Sequence, residues 1–158
     1  MSEHTNILNT YFPKKNISRD NFVLNQFTNK ALIKVILYAV EDYLRPKSEV
    51  KVSTSSKDVD IEHILPLNPD KKSNWLKSFT EDDHKDYKDR IGNVTLLYAP
   101  INRKVSNSDF KNKREKYKES QLYLNKEIIK VKIWNKQAIK QRSVDLFSYA
   151  MKIWEYPS

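Results

Sequence analysis

The sequence predicts an α+β fold in which a short hairpin and a following helix form the centre, surrounded by helices from the N- and C-terminal parts of the chain. Three observations carry this expectation. Residues 58–62 (Asp58-Val59-Asp60-Ile61-Glu62) alternate polar and apolar side chains with period two, as a half-buried strand does. Residues 93–98 form a second β-prone run, introduced by the only glycine of the chain, Gly92. Outside these runs apolar residues recur at three- and four-residue spacing, the periodicity of amphipathic helices.

In chain order, residues 1–28 scatter Tyr11, Phe12, Phe22 and Phe27 among polar residues. Pro13 interrupts any long helix there, so this peripheral segment reads as short helical pieces and loop. Residues 29–44 place Leu32, Ile33, Ile36, Leu37, Val40 and Leu44 on one helical face, and Pro46 ends the helix. Their β-branched richness makes a strand the minor alternative. The serine-rich residues 47–57 read as loop, and Pro66 closes the strand that follows. Residues 73–79 read as a short helix carrying Trp75, and a second helix starts at Thr80, whose hydroxyl with Asp83 three residues on fits a capping box.

Gly92 at the entrance of the second strand points to positive φ or to a close backbone approach that a side chain would block. Pro100 follows that strand, then loop, then a strongly basic helix from Asn107 or Ser108 to about Ser120. The last third carries Leu122, Leu124, Ile128, Ile129 and Val131. A long helix over 134–156 follows, with Ile139, Leu146, Tyr149, Ala150, Ile153 and Trp154 on one face. The expected organisation is one domain over 1–158, with a peripheral segment 1–28, a core with an insertion over 57–120, and C-terminal helices over 121–158.

Composition bounds the function. A chain of 158 residues is long enough for a real core. Its 29 Lys and Arg against 20 Asp and Glu give a formal charge of +9, which favours an anionic partner, nucleic acid first. No cysteine is present, so disulfides, thiolate metal sites and cysteine nucleophiles are excluded and any metal must sit on nitrogen and oxygen. No apolar run approaches the ~20 residues that span a bilayer, and the N-terminus lacks a signal-peptide core. The expectation is a cytoplasmic protein with no membrane partner.

The chemistry gathers at Glu62-His63, at the end of the first strand. An imidazole with an unperturbed pKa near ~6.5 is mostly neutral at cytoplasmic pH and can take a proton from water. A carboxylate and an amide nearby can hold a divalent metal, and basic residues can meet phosphates. Each residue alone has a plainer explanation. An isolated Glu-His pair is usually structural, asparagines such as Asn93 and Asn102 are favoured in turns, and a lysine run such as 111–118 is usually a solvated face. His84, in the charged run 81–86, reads as solvated, with its closeness in sequence to Gly92 keeping it an outside candidate as a ligand; His4 reads as disordered, and Trp75, Trp134 and Trp154 as core.

The pieces acquire meaning through their joint order. Asp60-Ile61-Glu62-His63-Ile64-Leu65-Pro66 is followed by Arg90-Ile91-Gly92-Asn93-Val94-Thr95-Leu96-Leu97, then by Asn102-Arg103-Lys104-Val105-Ser106-Asn107 with Phe110 and Lys113-Arg114. With Trp134, Ile139, Arg142 and Ile153-Trp154 further on, this order resembles the C-terminal HNH nuclease domain of GmrSD-type modification-dependent restriction endonucleases over most of the chain. The spacing from Asn93 to Asn102 is similar to that in the HNH domains of CRISPR effector nucleases.

The resemblance implies the ββα-metal fold, in which two strands and a helix grip one divalent ion. It implies His63 as general base, Glu62 and Asn102 as metal ligands, and Asn93 as the hairpin residue that fixes the loop and helps orient His63. Arg103, Lys104, Lys111, Lys113 and Arg114 are the implied nucleic-acid contacts. Two departures from the pattern stand out. Glu62 replaces a frequent Asp, which keeps Asp60 as a rival metal ligand. The helix after Asn107 lacks a histidine, so the third letter of the motif is Asn102 or Asn107. An oxygen-rich site of this kind favours Mg²⁺ or Mn²⁺. The implied activity is metal-dependent cleavage of modified or phage DNA in antiviral defence, with an NTP-dependent sensor domain, fused or separate, as partner. The rivals are an HNH nuclease directed at RNA and a catalytically inactive basic DNA-binding module.

Overall fold

The computed structural model describes residues 19–47 and 58–154. In order they form α1 (Arg19–Leu24), α2 (Lys30–Leu44), β1 (Val59–His63), α3 (Trp75–Ser78), α4 (Glu81–Tyr87), a 3₁₀ turn (Ile91–Asn93), β2 (Val94–Tyr98), α5 (Ala99–Val105), α6 (Phe110–Tyr117), α7 (Tyr123–Ile128) and α8 (Lys136–Ile153). The described residues thus form a mixed α/β structure of eight α-helices around one two-stranded antiparallel sheet. The expectations for 1–18, for the loop 48–57, for His4 and for the end of the last helix at Tyr156 lie outside the described residues.

The hairpin divides the interior in two. Val59 pairs with Tyr98, Ile61 with Leu96, Glu62 with Thr95 and His63 with Val94. Successive side chains leave a strand on opposite faces, so directly paired residues share a face. Val59, Val94 and Leu96 join a core built from α2 and α8, with Leu32, Ile33, Ile36, Leu37, Val40 and Leu146. Leu97 joins the other core, with Ile64 and Leu65 after β1, Trp75, Phe79, Ile101, Phe110, Tyr117 and Trp134. Adjacent residues Leu96 and Leu97 therefore commit to different cores, so β2 is buried on both faces through Val94–Leu97, while β1 keeps Asp60 exposed.

Local chemistry sets the flanking helices. Asn29 caps α2 by accepting the Leu32 N–H at 3.1 Å, and Thr80 and Asp83 form the reciprocal capping box of α4. Glu41, fully buried on α2, meets Arg45 Nη2 at 2.6 Å and accepts the Tyr123 and Leu124 N–H groups at 3.0 Å each. One carboxylate thereby accepts from the first amides of α7 and ties it to α2.

Two elements differ from the sequence-based expectation. The stretch after β2 is a helix, α5, where a loop was expected: Pro100 falls in its first turn, where a missing N–H costs no hydrogen bond. Asn102 therefore projects from a helix. The basic helix α6 begins later than expected, with Asp109 at the N-cap position in place of Asn107 or Ser108. The Asp109 carboxylate accepts both the backbone N–H and the side-chain amide of Asn74, at 3.0 and 2.8 Å.

Candidate active site

The end of the hairpin where the chain leaves β1 and returns into β2 is a knot tied by Asn93. Its side chain is fully buried and uses both ends: Oδ1 accepts the Leu65 N–H at 2.8 Å and the Trp134 Nε1–H at 3.1 Å, while Nδ2 donates to the Leu65 carbonyl at 3.0 Å and the Lys88 carbonyl at 2.9 Å. Its backbone carbonyl accepts the Ile64 N–H at 2.9 Å. The residues directly after His63 are thus held to the turn before β2 by both backbone and side chain.

That turn is in turn clasped by α8. A Cβ at Gly92 would lie 2.1 Å from the Ile139 carbonyl oxygen and 2.4 Å from Ser143 Oγ, so the glycine serves a close helix approach. Its φ is not positive, which leaves close approach as the reason for glycine here. Ser143 Oγ accepts the Gly92 N–H at 3.0 Å, and Arg142 Nη1 donates to the Gly92 and Val94 carbonyls at 2.9 and 2.6 Å. Burial pushes the Arg142 guanidinium down to about 10, still charged at neutral pH.

His63, at the last position of β1, keeps 20% of its side chain exposed at the rim of this knot. Its Nε2 lies 3.6 Å from Asp89 Oδ1, and Asp89 Oδ2 is held by Lys88 Nζ. Burial holds the imidazole below its usual value near 6.5; the Asp89 charge opposes that shift, and Lys113 and Lys88 add to it. A neutral imidazole with one face to solvent can accept a proton. Of the other histidines, His84 Nε2–H donates to the Pro66 carbonyl at 2.8 Å, which makes it a brace of the loop after His63.

Glu62 leaves β1 on the opposite face from His63 and is 5% exposed. Its Oε1 accepts from Lys113 Nζ at 2.6 Å and from the Tyr117 hydroxyl at 2.8 Å, both on α6. Lys113 also donates to the His63 backbone carbonyl at 2.8 Å. Burial pushes the Glu62 carboxyl up and the Lys113 ammonium down, each opposed by the other's charge. Lys113 is therefore placed differently from the surface role expected of it. Its side chain is 0% exposed, with Nζ on Glu62 and on the His63 carbonyl, so it is not presented to a phosphate at the surface.

Among the remaining expected residues, Asn102 is half-buried on α5, which packs through Ile101 and Val105 into the core on the Glu62 side of the sheet. Asp60 is exposed on β1, and its charge adds to the burial that raises the Tyr38 hydroxyl. Arg103, Lys104 and Lys111 are exposed, and Arg114 is half-buried with Nη1 on the Val131 carbonyl at 3.2 Å.

Among the described residues no three of His, Cys, Asp or Glu gather into a metal-holding group. Glu62 offers a carboxylate, one oxygen of which is engaged by Lys113 and Tyr117, and Asn102 offers an amide oxygen from α5, whose Ile101 and Val105 pack into the core on the same side of the sheet. That donor set fits a hard divalent cation of the Mg²⁺ type, which is commonly held by one or two carboxylates with water and substrate phosphate completing its shell. It does not fit a cation needing three or four imidazole or carboxylate ligands.

A sequence comparison sets these residues in a family. The family model for the C-terminal domain of GmrSD restriction endonucleases matches residues 12–149, nearly the whole chain. The chain belongs to this family. No curated protein matches it. The GmrSD C-terminal domain match spans the hairpin, the Asn93 knot and the α8 residues that clasp it, so the elements that present His63 all lie inside it. It is a domain of the restriction-endonuclease class.

Sequence reasoning missed Asp89, the carboxylate beside His63, and the Lys113 partner of Glu62. Asp89 ends a run of seven charged residues in nine, which reads as a solvated helix. The signal that could have found it is its place four residues before Asn93, in a turn that Asn93 draws toward the end of β1. Lys113 lies in a lysine-rich helix, and only its phase with Phe110 and Tyr117, at i−3 and i+4, marks it as inward-facing.

Proposed function

We propose that this GmrSD C-terminal domain is a metal-dependent DNA endonuclease of the HNH type, with His63 as the general base. The observation that carries the reading is the placement of His63: a half-buried imidazole, held below its usual pKa, at the rim of a turn locked by Asn93. His63 would take the proton from a water that attacks phosphorus in line with the departing 3′-oxygen, yielding a 5′-phosphate and a 3′-hydroxyl. A bound Mg²⁺ or Mn²⁺, held by Glu62 and Asn102 with Asp60 as the rival to Glu62, would supply charge stabilisation at the scissile phosphate and the leaving oxygen. Lys113 and Tyr117 fix Glu62 by one oxygen, as outer partners of metal-bound carboxylates do.

Arg103, Lys104 and Lys111, exposed on α5 and α6, are the groups that would meet the phosphate backbone, and the net charge of +9 would draw the domain to DNA. The catalytic core would be 57–120, braced by the helices over 121–158. Cleavage of modified or phage DNA in antiviral defence, directed by an NTP-dependent sensor domain, fused or separate, is the role that family membership supports. No described helix is long and apolar enough to cross a membrane.

The test is digestion of supercoiled plasmid and of RNA side by side, with Mg²⁺ or Mn²⁺ and again with chelator. The reading predicts nicking and linearisation of plasmid that chelator abolishes, with RNA spared. Plasmid left intact with either metal contradicts it, and RNA cut in preference to plasmid assigns the same chemistry to the other substrate.

A further inference from the structure

We propose that Asp89 is the positioning residue of His63: it accepts the imidazole Nε2–H and thereby leaves Nδ1 as the nitrogen that takes the proton from water. The inference rests on the reading of His63 as general base, and extends it to a residue that no motif of the chain marks.

Four contacts support it. Asp89 Oδ1 lies 3.6 Å from His63 Nε2, and both side chains are largely withdrawn from solvent, 12% and 20% exposed. The other oxygen, Oδ2, is held by Lys88 Nζ, so the carboxylate cannot rotate freely away from the imidazole. The Asp89 main chain is fixed by the Phe27 N–H, which donates to its carbonyl at 2.7 Å. The preceding carbonyl, that of Lys88, accepts from Asn93 Nδ2 at 2.9 Å. Asn93 thus holds both banks of the site, Leu65 just after His63 and Lys88 just before Asp89, and sets the distance between imidazole and carboxylate.

The chemistry follows from the two ring nitrogens. A carboxylate can only accept, so the nitrogen turned toward Asp89 is the protonated one in the neutral ring, and the opposite nitrogen carries the lone pair. As Nδ1 takes a proton from water, the ring becomes a cation whose charge Asp89 stabilises without receiving a proton itself. The gap of 3.6 Å is longer than a hydrogen bond, and bonds of this kind tighten once substrate closes over them. The charged groups facing the pair are Lys88 Nζ, on Asp89 Oδ2, and Lys113 Nζ, on the His63 carbonyl.

The experiment reads the tautomer directly. In ¹⁵N-labelled protein, at a pH where the ring is neutral, the nitrogen shifts of His63 should report Nε2–H with Nδ1 unprotonated. A wild-type ring found as Nδ1–H overturns the proposal without need of any variant. In Asp89→Asn, whose amide can donate, the population should move toward Nδ1–H, and kcat on plasmid should fall by roughly 10²-fold with KM for DNA nearly unchanged. An Asp89→Asn enzyme with unchanged tautomer and kcat also overturns it. Should His63→Ala cut as well as wild type, the general-base reading fails instead, an outcome separate from either tautomer result.

Discussion

The Asn93 carboxamide is the residue on which the geometry of the site converges. Two donors and one acceptor oxygen bridge three segments that are distant in sequence: Leu65, Lys88 and Trp134. Replacement by aspartate keeps the acceptor for Leu65 and Trp134 but turns the amide toward Leu65 and Lys88 into a second acceptor facing two carbonyls. An unmet buried polar group costs about 1–3 kcal/mol. Asn93→Asp is therefore expected to lower stability by about 2–4 kcal/mol, read as a reduced urea midpoint at unchanged slope. An unchanged midpoint would mean that the bonds of Nδ2 do not hold the turn.

Glu62 and His63 show the same logic at adjacent positions: the pleat sends one into a buried pair with Lys113 and the other to the rim. Removing one partner of such a pair leaves an uncompensated buried charge, so the contact is maintained by mutual need more than by net stability. Asp89 belongs to this scale too, and only its place four residues before Asn93 separates it in sequence from the acidic residues of α4.

At the scale of elements, the turn before β2 is as much a part of α8 as of the hairpin. Gly92 lets the helix backbone approach so closely that Ile139, Arg142 and Ser143 bond or touch the turn directly. A methyl group at position 92 must push α8 away from the turn. Gly92→Ala is expected to destabilise by roughly 3 kcal/mol through overpacking, although alanine suits the backbone angles. A variant as stable as wild type in urea unfolding would show that α8 is free to yield.

Much of this layer was legible in the sequence. The period-two run found β1, the three-four spacing found α2 and α8, and Thr80 with Asp83 found the start of α4. The importance of Gly92 was visible because it is the only glycine, but its reason was not, since the close partner lies some fifty residues on. Helix α5 was hidden by Pro100, which reads as a stop after a strand and is equally suited to a first helical turn.

At the scale of the molecule, two cores divided by a hairpin make a mount that carries His63 at the end where β1 leads toward β2. The order of Glu62-His63, Gly92-Asn93 and Asn102 pointed to the family in which the chain is found. The order of these residues could be read because the motif is local at each piece; the pairing of His63 with Asp89 and of Glu62 with Lys113 could not, because both are set by how the pieces are folded against each other. The proposed contact with the phosphate backbone belongs to this scale as well: it would use the exposed Arg103, Lys104 and Lys111, with Lys113 buried against Glu62.

The measurement that bears most directly on the whole is single-turnover cleavage of plasmid with Mn²⁺ by wild type and by His63→Ala, each first shown to be folded by its unfolding transition. Loss of the general base should slow cleavage by at least about 10²-fold while DNA binding is retained. A folded His63→Ala protein that cuts at the wild-type rate would contradict the account.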